Sequence, residues 1–156
     1  MPSFDDTTSA RAPVEEVWKL LYDPARFPEW WAGVETVVPA RSGDEGDFTM
    51  YPDGYPDFPM PQALRADGDG RTVTISCLVS DLVFEWRLEP LPADDGTAIA
   101  VHVEIPDAEG HRLDAQRGVV SASLRSLAAL AAGAAGVTPA TTAAPGPPRD
   151  RRTPGR

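Results

Sequence analysis

The region from Val34 to Pro106 alternates apolar and polar residues with a period of two, and turn segments rich in Gly, Asp and Pro interrupt it at regular intervals. The predicted β-strands cover residues 34–41, 47–52, 60–67, 71–80, 82–91 and 97–106. Most connections are short enough for hairpins, so neighbouring strands should pair antiparallel. The apolar residues of the later strands share one face, which predicts a sheet with one buried and one solvated face.

The residues before this region predict an edge strand and two short helices. Residues 4–11 are polar and tolerate a strand. Pro13 should open a first helix that Asp23-Pro24 stops, and residues 26–32 should form a second one, closed by Gly33. The first helix would bury an apolar stripe of Val14, Val17, Trp18 and Leu21.

A long helix is predicted at residues 108–134, with Asp107 as its cap. Its buried stripe would consist of Leu113, Val120, Leu124, Leu127 and Ala131. The order of elements is then strand, two helices, six strands and a long helix. Sequential strands followed by a segregated helix predict an α+β fold, not a parallel α/β sheet.

Composition predicts one folded domain at residues 1–137 and a disordered tail rich in Pro, Thr, Ala and Arg at residues 138–156. The net charge of −10 argues against a nucleic-acid partner, because an acidic body repels phosphate backbones. Cys77 is the only cysteine, which excludes an intramolecular disulfide and a multi-cysteine metal site. We find no signal peptide and no membrane-spanning stretch, so a cytoplasmic location is expected.

Catalytic and cofactor motifs are sparse. His102 should lie on the solvated face of its strand, and His111 should lie far from the buried stripe of the last helix. Cys77 is interpreted as a small core residue. With both histidines placed away from it, the sequence supports no nucleophile–base pair. The chain has no Gly-rich phosphate loop after a strand and no metal-ligand spacing, and we expect neither a cofactor nor a metal.

One long helix must cover the apolar face of six or seven strands, which leaves two alternatives open: a solid core or a cavity between sheet and helix. Gln116 and Arg117 flank the buried stripe of that helix, where an amide would either meet a ligand or remain at the boundary of the core. Residues 51–61 are dense in proline and aromatic residues and predict either a lid over a pocket or a self-packed loop. Of Trp30 and Trp31, one should seal the core and the other should be exposed or line a mouth.

Four segments carry a resemblance to a known family. Residues 12–21 (APVEEVWKLL) and 23–31 (DPARFPEWW) resemble the opening of the START-related superfamily of polyketide cyclases/dehydrases and lipid-transport proteins (SRPBCC). Residues 83–90 (VFEWRLEP) and 108–134 are similar to its late strand pair and C-terminal helix. The resemblance implies the helix-grip fold, in which a curved seven-stranded antiparallel sheet surrounds the long C-terminal helix, with two short helices between strands 1 and 2.

The resemblance also favours the cavity and implies what it does. We expect the domain to bind an apolar, lipid- or polyketide-like small molecule, as a monomer or a homodimer. The alternatives are a polyketide aromatase/cyclase or dehydratase acting on a poly-ketone, and a partner-binding module like the Hsp90 activators. No catalytic residue of the family can be placed on this sequence. The predicted ligand-binding residues are Trp30, Trp31, Met50, Tyr51, Phe58, Leu64, Ile75, Cys77, Phe84, Trp86, Val101, Val103, Leu113, Gln116, Arg117 and Val120.

Overall fold

The computed structural model describes residues 2–39, 47–92 and 96–134 of the chain. It contains seven strands, two α-helices and two short 3₁₀-helices within that part. The strands are β1 Ser3–Ala10, β2 Val34–Pro39, β3 Phe48–Pro52, β4 Met60–Asp67, β5 Thr72–Cys77, β6 Val83–Leu91 and β7 Gly96–Glu104. The helices are α1 Val14–Leu21, a first 3₁₀-helix Pro24–Glu29, a second 3₁₀-helix Asp107–Arg112 and α2 Leu113–Ala134.

The strands form one antiparallel sheet in the order β1-β7-β6-β5-β4-β3-β2. Strands β2 to β7 follow one another as neighbours, whereas β1 pairs with β7 from Ser3↔Glu104 to Ala10↔Thr97. Strands β1 and β2 therefore lie at opposite edges, and α1 and the first 3₁₀-helix connect them. The curved sheet with a long C-terminal helix confirms the predicted helix-grip fold.

The core lies between the concave face of the sheet and the helices. Alternate residues of β5, β6 and β7 point inward, as their period-two pattern requires, and α1 and α2 cover them. The fully buried side chains are mostly aliphatic and come from all of these elements. They include Val17, Leu20, Leu21, Val73, Ile75, Ile99, Val101, Val103, Val120, Leu124 and Leu127.

Six aromatic rings fill the space between the first 3₁₀-helix and the sheet. Neighbouring ring centroids lie 5.1 to 5.8 Å apart, mostly edge to face, which is the favoured geometry for aromatic pairs. The rings belong to Phe27, Trp30, Trp31, Phe48, Phe84 and Trp86.

Two helix predictions are wrong in detail. The second short helix covers Pro24–Glu29 and not residues 26–32, and it is a 3₁₀-helix. Pro28 has no N–H for an i→i−4 bond, which disfavours a regular α-helix there. The last helix is not continuous over residues 108–134, because Asp107–Arg112 form a 3₁₀-helix before α2 begins at Leu113. Gly110 in this stretch has low α-helical propensity.

The turn between β5 and β6 also differs from its prediction. The predicted strand 71–80 ends at Cys77, so Leu78 and Val79 leave the sheet and are 57% and 71% exposed. The strand ends early because the backbone turns at Cys77, whose N–H donates to the Leu82 carbonyl over 2.9 Å. A hairpin needs at least about two connecting residues, which strands at 71–80 and 82–91 do not leave.

The remaining strand bounds fall within about two residues of prediction, the usual uncertainty of a strand end. The end of the predicted strand 34–41 and the whole predicted tail at 138–156 lie outside the described residues.

None of the helices in the described ranges is both long and apolar enough to cross a membrane.

Candidate functional site

A cavity of about 610 Å³ opens between strands β3 to β6 and the N-terminal part of α2. Most of its lining side chains are apolar. They come from Trp31, Ala32, Gly33, Val34, Met50, Pro52, Tyr55, Phe58, Pro59, Met60, Gln62, Cys77, Val79, Ser80, Leu82, Phe84, Glu109, Arg112, Gln116 and Val119. The lining residues come from β2 to β6 and their connecting loops, from the second 3₁₀-helix and the first turns of α2, and from the Trp31–Gly33 segment after the first 3₁₀-helix.

The wall at Trp31 and Ala32 is fixed by hydrogen bonds at the end of the first 3₁₀-helix. The Phe27 carbonyl accepts from the Trp31 N–H over 2.7 Å, and Gly33 then turns the chain toward β2 with φ +87°. The Ala32 N–H donates to the buried Ser123 hydroxyl of α2 over 2.9 Å. This hydrogen bond joins the wall to the helix that covers the cavity.

The mouth of the cavity carries exposed apolar side chains. Tyr55, Phe58 and Val79 line the cavity although 64%, 59% and 71% of their surface is exposed. The loop holding Tyr55 and Phe58 packs through its own backbone, because Tyr55 N–H donates to Pro52 O and Phe58 N–H donates to Tyr55 O, over 3.0 and 3.2 Å. The loop is self-packed and also forms part of the cavity wall; its motion as a lid stays a prediction.

Charge is confined to the rim. Among the described lining residues only Glu109 and Arg112 are charged, and they form an ion pair of 3.0 Å on the second 3₁₀-helix. The Arg112 side chain is 53% exposed, so solvent screens the pair. The interior of the cavity therefore presents no unpaired charge to a ligand.

Two amides are the main polar groups of the lining. Gln62 on β4 is 3% exposed, and its Nε2–H donates to the Met60 carbonyl over 3.3 Å. Gln116 in the first turns of α2 is half-buried. Amides donate and accept hydrogen bonds without charge, which suits them to the hydroxyl and carbonyl groups of a neutral ligand.

The structure brings some of the predicted site residues to the cavity and leaves others in the core. Those that line it are Trp31, Met50, Phe58, Cys77, Phe84 and Gln116. Those buried away from it are Leu64, Ile75, Val101, Val103 and Val120. Of the others, Tyr51 and Leu113 are half-buried and outside the lining, and Arg117 is exposed with its guanidinium 5.0 Å from the centroid of the Phe4 ring.

The two paired tryptophans and Trp86 take different positions. Trp31 forms cavity wall, whereas Trp30 lies behind it and donates its indole N–H to the Leu20 carbonyl over 2.9 Å. Trp86 is fully buried against both rings and does not line the cavity. A tryptophan signal for a bound molecule is therefore expected from Trp31.

Most of the lining residues were not among the predicted ones, and Met60, Gln62, Leu82 and Val119 are examples. Gln62 carried a signal, since it lies between Met60 and Leu64 on the inward face of its strand, where a polar side chain is unusual. Val119 stands beside the predicted stripe of α2 and offered no such signal.

The solvated face carries a separate polar cluster. His102 on β7 contacts Asp5 of β1 through Nδ1 at 2.8 Å and Glu104 through Nε2 at 3.2 Å. The hydrogen bond to Asp5 is the main cause that raises the pKa of His102. In the described part of the chain, no group of three or more His, Cys, Asp or Glu side chains is arranged to hold a metal ion.

A curved antiparallel sheet around a long helix, with a mostly apolar cavity between them, defines a helix-grip protein. The chain belongs to the polyketide cyclase/dehydrase and lipid transport family, whose model matches residues 1–134. No curated protein sequence matches the chain significantly.

Solved structures share the fold at low sequence identity. A protein from Nitrosospira multiformis superposes with a TM-score of 0.67 and 19% identity, covering 82% of this chain and 94% of that one. The Zhui aromatase/cyclase from Streptomyces sp. R1128 gives 0.65 and 15%, covering 86% and 93%. The di-domain ARO/CYC BexL of the BE-7585A biosynthetic pathway gives 0.67 and 17%, covering 82% of this chain and 45% of BexL.

Proposed function

We propose that this protein binds an apolar small molecule, lipid- or polyketide-like, in the cavity between the sheet and the N-terminal part of α2. The observation that carries the proposal is the cavity itself, which measures about 610 Å³ and has mainly apolar walls. Ligand sites of this kind have volumes of about 300–1,000 Å³ and a few polar groups that fix orientation. Gln62 and Gln116 are such groups here.

A binding role accounts for the lining better than a catalytic one. The ionisable side chains among the described lining residues are Tyr55, Cys77, Glu109 and Arg112, and the last two neutralise each other at the rim. General acid–base catalysis needs a titratable group within hydrogen-bond reach of the reacting atom. The deepest polar lining group, Gln62, does not titrate.

The binding proposal is tested by titrating the protein with N-phenyl-1-naphthylamine, an uncharged dye that fluoresces on leaving water. Val119→Trp places a large ring in the cavity and should weaken dye binding at least about tenfold, because the added ring displaces the probe. Ala115→Trp, at an exposed position of the same helix, is the matched control and should bind normally. A wild-type protein that does not bind the dye contradicts the proposal.

The family description and the aromatase/cyclase structures favour a second function, the cyclisation or dehydration of a poly-ketone in the same cavity. This alternative is tested by adding the purified wild-type protein to a polyketide synthase reaction. The products are compared with those formed when the Val119→Trp variant is added instead. A product that depends on the open cavity establishes catalysis. Unchanged products, together with dye binding, support the binding role alone.

A further inference from the structure

Gln62 holds an acceptor for which the described residues provide no donor. Among the described residues, the only hydrogen bond of its side chain runs from Nε2 to the Met60 carbonyl. Its cross-strand neighbours are Phe48, which has no polar side-chain group, and Cys77, whose thiol is only a weak donor. The carbonyl oxygen Oε1 therefore has no partner within the described part of the chain.

The orientation of this amide is determined. Turning the amide by 180° would set Oε1 against the Met60 carbonyl, and two acceptors repel each other. The Nε2–H must face Met60, so Oε1 must face the other way. Among the described residues, Trp86 Nε1 is the only side-chain nitrogen or oxygen atom that is fully enclosed and has no partner. Since Oε1 of Gln62 also has no partner, it must keep some accessible surface. Gln62 lines the cavity, so this surface faces the cavity.

We infer that Gln62 selects ligands that bear a hydroxyl group, because Oε1 accepts a hydrogen bond from it. The inference rests on the proposed binding function and narrows its ligand class from apolar molecules in general to hydroxylated or phenolic ones. A buried acceptor that gains a donor contributes to affinity, whereas a ligand that offers only acceptors leaves Oε1 desolvated and unpaired. Gln116 does not impose this choice, since its amide is only half-buried and therefore remains accessible to water.

The test uses two tricyclic probes, 9-phenanthrol, which carries a donor, and 9-methoxyphenanthrene, which carries only an acceptor. Their dissociation constants come from displacement of N-phenyl-1-naphthylamine at neutral pH. Gln62→Met keeps the volume and removes the acceptor. We expect the preference for 9-phenanthrol over the methyl ether to fall about tenfold in this variant, the size of one buried hydrogen bond. Gln116→Met reports on the other amide of the lining, and Val38→Ser, at an exposed position outside the lining, is the control and should leave the preference unchanged.

The outcomes separate this inference from the binding proposal. Equal preference in the wild type and Gln62→Met overturns the inference and leaves the binding function intact. Loss of the preference in Gln116→Met but not in Gln62→Met also overturns it. If Gln62→Met does not fold, a wild type that does not bind 9-phenanthrol more tightly than the methyl ether overturns the inference without a variant. A wild type that binds neither probe nor dye contradicts the binding function itself.

Discussion

Trp30 and Trp86 show how one hydrogen bond separates two otherwise similar core residues. Both indoles are buried in the same aromatic cluster, and their ring centroids lie 5.3 Å apart. Trp30 donates to the Leu20 carbonyl at the end of α1, where helix carbonyls lack partners within the helix. Trp86 Nε1 has no partner among the described residues. The first indole caps a helix, and the second keeps a buried donor unpaired.

We predict that Trp30→Phe destabilises the protein more than Trp86→Phe, by about 1–3 kcal/mol. Both changes leave a similar space, but the first also removes a hydrogen bond, whereas the second removes an unpaired buried donor. Urea unfolding at constant protein concentration measures both free energies. An equal or larger loss for Trp86→Phe would show that its N–H is stabilised by a contact other than a hydrogen bond.

At the scale of elements, the Ser123 hydroxyl joins α2 to the cavity wall by a hydrogen bond. The Ser123 hydroxyl donates to the Val119 carbonyl over 2.7 Å and accepts from the Ala32 N–H over 2.9 Å. Ser123 itself is fully buried, whereas its partners Ala32 and Val119 are half-buried. A serine within a helix can bond its own i−4 carbonyl, and here the same hydroxyl also satisfies a distant backbone donor.

We predict that Ser123→Ala destabilises the protein by about 1–2 kcal/mol, because the Ala32 N–H loses its acceptor and the Val119 carbonyl loses a donor at a fully buried side chain. The control is Ser121→Ala on the same helix, whose half-buried hydroxyl accepts from the exposed Arg125 side chain and should matter less than about 0.5 kcal/mol. Thermal unfolding of the two variants measures the difference. Similar losses in both would show that Ala32 finds another acceptor.

The pairing of β1 with β7 carries a pH-dependent contact on the solvated face. Both ring nitrogens of His102 face carboxylates, Asp5 and Glu104, and Glu85 is its register partner on β6. A histidine donates from both nitrogens only when it is protonated. Hydrogen bonds and charge from Asp5 first of all, and from Glu104, raise the pKa of His102 in the folded state above its ordinary value of 6.5.

We predict that this contact stabilises the fold fully below the unfolded-state pKa, about 6.5, and that the stabilisation is lost as pH rises through the higher folded-state pKa. Exposure limits it to less than about 1 kcal/mol. The free energy of unfolding of the wild type should exceed that of His102→Gln at low pH and approach it at high pH. A difference that grows with pH would contradict this sign.

At the scale of the whole molecule, the residues that stabilise the fold and the residues that line the cavity lie at different parts of the interface between the sheet and α2. The C-terminal part of α2 packs solidly, with Leu124, Leu127 and Ala131 fully buried. Its N-terminal part, with Gln116 and Val119, stands over the cavity. Because few core contacts depend on the cavity mouth, changes there should alter binding without unfolding the domain.

We predict that Phe58→Ser weakens binding of N-phenyl-1-naphthylamine about three- to tenfold, since the ring contributes apolar surface to the cavity. It should lower stability by less than about 1 kcal/mol, because 59% of the residue is already exposed. Val38→Ser is the control, an exposed apolar residue outside the cavity lining that should leave dye binding unchanged. Unchanged binding in Phe58→Ser would remove the loop from the proposed site.

The sequence by itself determined the fold class, the order of the elements and the inward face of most strands. These follow from periodicity, because a strand repeats every two residues and a helix about every 3.6 residues, whatever the rest of the chain does. The inward positions of Phe84 and Trp86, and the buried stripe of α2 from Val120 to Ala131, were predicted on that basis and are buried in the structure. The resemblance of the first helical segments to the family is confirmed by the family model over residues 1–134.

The position of the cavity was decided only by the tertiary structure. Periodicity shows that a side chain points inward, but not whether it meets another side chain or an open space. That depends on pairs far apart in sequence, such as Trp30 with Leu20 and Ala32 with Ser123. For this reason Trp86 and Val101 lie in solid core although they were predicted to line a pocket, and Gln62 lies on the cavity wall although it was not. Local pattern fixes the direction of a side chain, and long-range packing fixes what it meets there.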